Sequence, residues 1–267
     1  MKNKYIFLLL LSAVFAYTFT QTFDSKLNLN GDNVHYMQLA KNLAAGNGYS
    51  HNTPEGTVPA SHYPPGYSAF LAVFIFLGIN NLIFFKILNG ILLLGGLIGL
   101  FYLIEKQTES LSLAFVATAL ALFSPKILEF ASMVMSEIFF FACSVVFFIS
   151  LYQYAQKDTV RFFKSPWFYL SIIAAVMAYY TRTVGAALIF ALPVFFLFRR
   201  EWIAALSSVA GSVLLIVPWS VRNAAHGIES RYLGTVMTVN PWRPESGNIS
   251  SVGEMFEKMI VNIDETV

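Results

Sequence analysis

Apolar residues run along this chain in long blocks broken by short polar stretches. A helix that crosses a bilayer needs about 20 mostly apolar residues. The blocks at about 5–22, 82–104, 111–125, 136–155, 167–181, 184–198 and 202–220 therefore read as spanning helices, several of them short by that measure. One further run, GYSAFLAVFIFLGI at 66–79, has about 14 residues and suits a re-entrant or interfacial helix better than a crossing. The expected fold is all-α: a polytopic membrane protein of about seven transmembrane helices, with juxtamembrane helices in the first outer loop. Residues 1–220 are expected to form the transmembrane domain, with its outer loop at 23–80, and 221–267 a polar outer segment.

Composition agrees with lipid as the solvent. Of 267 residues, 57% are hydrophobic and 12% charged, and the mean hydropathy is +0.62. Soluble domains carry about 25% charged residues, and a water-soluble fold cannot hide this much apolar surface. The 26 Phe suit lipid-facing helices and interfacial belts. A net charge of +2 gives no basic face for nucleic acid. The single cysteine, Cys143, lies within an apolar run. Lys2 and Lys4 before Tyr5–Tyr17, with Ala13 and Ala16 after them, also have the shape of a signal peptide. An uncleaved signal anchor is the expected reading, because the chain keeps re-entering the membrane.

Charge sets the expected topology. Lys2 and Lys4 place the N-terminus inside. If 66–79 does not cross, Glu105–Lys106, then Lys157, Arg161 and Lys164, then Arg199 and Arg200 all fall inside. If it crosses, those clusters fall outside. The outer side then receives 23–65, a turn near 125–135, the junction at 181–183 and everything after Trp219, including His35, His51, His62 and His226.

The outer segments hold the candidate chemistry. Asp32 opens the stretch GDNVHYMQLAKNL, where Val34, Met37, Leu39 and Leu43 give a helix a rough apolar face and Gly46-Asn47-Gly48 ends it. Asp32 reads either as a helix cap or as a general base at a water–lipid boundary, where partial burial raises a carboxylate's pKa. His62-Tyr63-Pro64-Pro65 reads as a rigid, extended approach to the 66–79 helix. Glu137 begins the 136–155 helix, where the dipole favours an acid; among so many Phe it also needs a partner. Arg182 and Arg222 read as snorkelling interfacial cations or as a phosphate clamp, which guanidinium geometry suits. Walker A, dinucleotide, HExxH, CxxC and GxSxG patterns are all missing from the sequence. No soluble α/β region is present to hold ATP or a sugar nucleotide. A membrane-dissolved substrate with an anionic head group fits better, and no cofactor is expected. Asp32 and Glu137 alone make a thin site for a divalent ion.

In order, the chain presents GDNVHYMQLAKNLAAGNGYS, YPPGYSAFLAVFIFLG, MSEIFF, YYTRTVGAAL and VPWSVRN. This series resembles the GT-C glycosyltransferases, in particular the protein O-mannosyltransferase and aminoarabinose-transferase-like group. The resemblance runs over nearly the whole chain. It implies an inverting transfer of a sugar from a polyprenyl-phosphate donor to a glycan, lipid or protein acceptor at the extracytoplasmic face. It implies an integral protein of a bacterial cytoplasmic membrane. Asp32 stands where the family has its catalytic base, and Glu137 where it has a second acid. Arg182 and Arg222 match donor-phosphate contacts. Tyr36, His62 and Tyr63 complete the implied substrate-binding set. Two departures stand out: Asn33 follows Asp32 where many relatives have a second acid, and Tyr63 stands where many have Lys. Family members usually continue through more spans and a soluble outer domain, so the chain is also expected to be the N-terminal portion of such an enzyme. The alternatives are a transporter or flippase for an anionic lipid or solute, with polar positions at mid-span, and an inactive fragment.

Overall fold

The computed structural model describes residues 2–26, 31–156, 162–228, 238–239 and 247–264. Lys157 and Arg161 of the expected inner cluster, and much of 221–267, lie outside the described residues. The chain divides into two compact units, Met1–Pro218 and Trp219–Val267.

The first unit is almost entirely helical. Helix α1 is Lys2–Thr22 and α2 is Asp32–Ala44. A two-stranded antiparallel hairpin follows, β1 (Ser50–Thr53) against β2 (Gly56–Pro59), with His51 opposite Val58. The hairpin is absent from the all-α expectation, because strands this short carry too little apolar alternation to register. Next come α3 (Gly66–Phe76), α4 (Leu82–Thr108), α5 (Leu111–Ala121), α6 (Pro125–Ala131) and α7 (Ser136–Ala155). The unit continues through α8 (Pro166–Thr181), α9 (Ala186–Phe198) and α10 (Trp202–Ala225), which carries the chain into the second unit.

Among the described residues, four helices are long and apolar enough to cross a membrane: Lys4–Thr22, Leu82–Thr108, Ser136–Ala155 and Trp202–Ala225. The pair α5 and α6 makes a fifth if it counts as one span, bent by 72°. Gly66–Phe76, Pro166–Thr181 and Thr183–Phe198 are shorter apolar helices. Large side chains such as Leu9, Phe190, Leu214 and Phe198 (86% exposed) face outward. This pattern is compatible with an integral membrane protein.

Three expected boundaries change. The block at 111–125 is not one helix, and the expected turn at 125–135 is largely helical. Pro125 has no N–H to donate and pushes Ser124 into extended backbone (ψ 111°), so α5 stops and α6 restarts from the proline. Helix α10 runs on to Ala225 through Pro218, past the expected end at 220. Pro65 is not extended: with φ −78° and ψ −15° it is already helical, and its carbonyl accepts the Ala69 N–H at 2.8 Å.

Local sequence explains the starts. The Asn81 side chain accepts the N–H groups of Ile83 and Phe84, and Ser110 accepts that of Leu113. Pro166 sits in the first turn of α8, where its missing donor costs nothing. Close packing of α4 on α7 needs glycine. A Cβ at Gly96 would meet Phe141 at 2.5 Å, and one at Gly99 would meet Val145 at 2.6 Å.

Polar side chains join the helices at their ends. At one end, Lys4 pairs with Glu105 at 2.6 Å, joining α1 to α4. Gln153 donates to the Tyr102 hydroxyl at 2.6 Å, joining α7 to α4. The Tyr154 hydroxyl donates to Glu201, which also pairs with Arg199 at 2.9 Å. At the other end, the Lys86 ammonium donates to Asp24 Oδ1 at 2.7 Å and to the carbonyls of Asp24 and Lys26. Lys4 and Glu105 meeting at one end, with Asp24 and Lys86 at the other, fixes α1 antiparallel to α4. The segment between them therefore begins and ends at the same end of the unit.

In the second unit, the Arg222 guanidinium lies 4.9 Å over the Trp219 ring and donates to Asn223 Oδ1 at 2.8 Å. His226 sits in the turn after α10. A helix, α11 (Val252–Asp264), follows an isolated bridge between Thr238 and Asn248.

Candidate functional site

Helix α2 presents Asp32 in its first turn and Tyr36 one turn later, so both side chains share one face. Asp32 does not cap the helix. Gly31, at φ 137°, takes the cap position without a side-chain bond. The carboxylate instead accepts the Tyr63 hydroxyl at 2.8 Å through Oδ1. Being inside the first turn, it still meets the positive end of the helix dipole.

Tyr36 lies at the centre of the group. It is buried, its hydroxyl donates to Ser136 Oγ at 3.0 Å, and its ring lies 5.1 Å from Tyr63 and 5.2 Å from Tyr67. Burial pushes its hydroxyl up to about 12, only partly offset by the bond to Ser136. Asp32 and Glu137 raise it further and Arg182 lowers it. One phenol therefore senses all three charged candidates. Tyr63 is pushed well above the usual phenol range, first by burial and then by its bond to Asp32.

Glu137 enters from the first turn of α7. Its Oε1 accepts Arg182 Nη1 at 2.5 Å. Arg182 arrives from the end of α8, in extended backbone (φ −146°) between the helix and a 3-10 turn. The side chains are 22% and 41% exposed. Glu137 Oε2 is buried and has no hydrogen-bond partner among the described residues, which is rare for a buried acceptor. Gly66 sets the approach of α3 to α8: a Cβ there would lie 2.8 Å from the Tyr180 carbonyl.

The histidines form a second layer. His35 stacks on Tyr63 at 5.4 Å and meets His51 edge-on at 5.3 Å, and His62 meets Tyr63 edge-on at 4.6 Å. Burial, then His35 and His62, hold His51 below the usual imidazole range, and its Nδ1 lies 3.1 Å from Gln38 Oε1. Among the described residues no group of three or more His, Cys, Asp or Glu is placed to hold a metal ion.

The structure thus brings together Asp32, Tyr36, His62, Tyr63, Glu137 and Arg182. Arg222 belongs to the second unit and is described there only. Sequence reasoning missed Ser136, Tyr67 and the Lys86–Asp24 lock. An ionisable residue in the second turn of an apolar run was the available signal for Lys86, which is 3% exposed and fully partnered by its three acceptors. Asn89, the modest polar feature of a span, accepts the Tyr67 hydroxyl at 3.0 Å and donates to the carbonyls of Met133 and Met135. It ties three segments together beneath the site. No protein-family model, curated protein or solved structure matches the chain.

Proposed function

We propose that this chain is a membrane glycosyltransferase of the GT-C type. It moves a sugar, with inversion, from a polyprenyl-phosphate donor to a glycan, lipid or protein acceptor. In this reading seven helices cross a bacterial cytoplasmic membrane, α3 lies at its surface, the N-terminus is inside and the site faces outward. Asp32 takes the proton of the acceptor hydroxyl or amine. The acceptor atom attacks the anomeric carbon, the bond from that carbon to the phosphate oxygen breaks, and polyprenyl phosphate leaves with the bonding pair. Arg182 stabilises the negative charge that gathers on the phosphate. Glu137 holds Arg182 through Oε1 and offers the buried Oε2 to the acceptor. Tyr36, Tyr63 and His62 form the aromatic wall against which the sugar rests.

The observation that carries the reading is that Tyr36 links the charged candidates: its ring packs on Tyr63, whose hydroxyl donates to Asp32, and its own hydroxyl donates to Ser136, next in sequence to the Glu137 that holds Arg182. The test uses membranes containing the chain, supplied with a radiolabelled polyprenyl-phosphate sugar and a mixed acceptor fraction. Asp32→Asn should lower transfer by about 10²–10⁴-fold with an unchanged amount of protein in the membrane. Undiminished transfer by that variant would sink the assignment.

A further inference from the structure

Helix α11 is amphipathic without help from other elements. Val252, Met255, Phe256, Met259 and Ile260 recur at i, i+3, i+4, i+7 and i+8, which places them on one face. All five are exposed. Glu254, Glu257 and Lys258 lie on the opposite side, together with Val261. The helix has its own start signal: Ser251 Oγ accepts the Glu254 N–H at 3.2 Å, and the Glu254 carboxylate accepts the Ser250 N–H and hydroxyl at 2.8 Å. Lys258 reaches back to the Thr238 carbonyl at 2.7 Å. Large apolar side chains left in water on a capped helix point to a covering phase or partner.

We propose that α11 lies flat on the lipid surface, with its Val252–Met255–Phe256–Met259–Ile260 face in the acyl boundary. The proposal rests on the membrane reading of the first unit. Two features favour lipid over a protein partner. The second unit begins inside α10, a helix apolar enough to cross, so the bilayer is the nearest apolar phase by covalent connection. The same unit opens with Arg222 set over the Trp219 ring, an aromatic–cation pair suited to the head-group region.

The experiment places single nitroxide labels at Met259→Cys, Glu257→Cys and Ile91→Cys in a Cys143→Ala background of the full chain, reconstituted in phosphatidylcholine vesicles. Accessibility to oxygen and to a water-soluble nickel chelate is compared. Ile91, exposed on α4, reports the crossing itself. The proposal expects Met259→Cys to favour oxygen several-fold, as Ile91→Cys does, and Glu257→Cys to favour the chelate. Equal chelate access at 257 and 259 puts the face in water and overturns it. Low access to both reagents at 259 means a protein partner and overturns it. Chelate access at Ile91 overturns the membrane reading and this inference with it, whereas a lipid signal at Ile91 without one at Met259 removes only this inference.

Discussion

At the Lys4 end of the first unit, carboxylates are shared between neighbouring donors: Lys4 and Lys106 meet Glu105, and Arg199 and Tyr154 meet Glu201. At the first-loop end α2, α7 and α8 deliver Asp32, Glu137 and Arg182, and there Glu137 Oε2 is buried without a donor among the described residues. Tyr36 stands among three charged groups that touch one another only in part. A closed ion-pair set holds helices in register. The other end, ringed by tyrosines and histidines, leaves one carboxylate oxygen unmet among the described residues.

That contrast can be broken by substitution. The largest structural effect is expected at Asn89, below the open end. Asn89→Ala takes away the partner of the Tyr67 hydroxyl and of the Met133 carbonyl and should cost about 2–4 kcal/mol in denaturant unfolding. A cost under about 1 kcal/mol would show that the tie is dispensable. Arg182→Ala strands Glu137 and should cost about 2–3 kcal/mol, less than a fully buried pair because Arg182 is 41% exposed. Adding Glu137→Gln should restore most of it. Lys4→Ala at the closed end should cost only about 0.2–1 kcal/mol, since Lys106 remains beside Glu105. Equal costs at the two ends would erase the distinction.

The pH response sharpens it further. The folded state raises the Tyr36 hydroxyl from 10.0 to about 12, so it favours the neutral phenol. The stability this contributes is whole below pH 10 and is lost as pH rises from there through about 12. Unfolding followed against pH should fall across that window, and Tyr36→Phe should flatten the fall. An effect of opposite sign is expected at the closed end. Arg200 has a left-handed φ of 62° where α9 turns into α10, with Glu201 N–H reaching the Phe196 carbonyl at 2.9 Å. Arg200→Gly should therefore stabilise by about 1 kcal/mol in the same assay. Destabilisation there would mean that the arginine side chain itself holds the turn.

Much of this was legible before folding. Hydropathy located the helices because a continuous apolar run has few other uses. It ended a helix near Pro125 and read 125–135 as a turn, missing that α5 stops at Ala121 and that α6 starts again from the proline. Asp32 was legible as a residue of interest but not in its role: only the fold shows that Tyr63, and not a backbone N–H, is its partner. Glu137 and Arg182 each read as interfacial charges. Their pairing across 45 residues depends on α7 and α8 lying side by side.

The sequence by itself determined that the chain is helical and apolar, where its helices begin, and which end of each carries charge. Those properties follow from residue-by-residue transfer into an apolar phase and from local caps, and neither needs knowledge of neighbours. The tertiary structure decided which charges are satisfied. Satisfaction is a property of pairs, set by close approaches such as Gly66 against the Tyr180 backbone and Gly96 against Phe141. Only there does one end of the bundle become a closed lock and the other an open site.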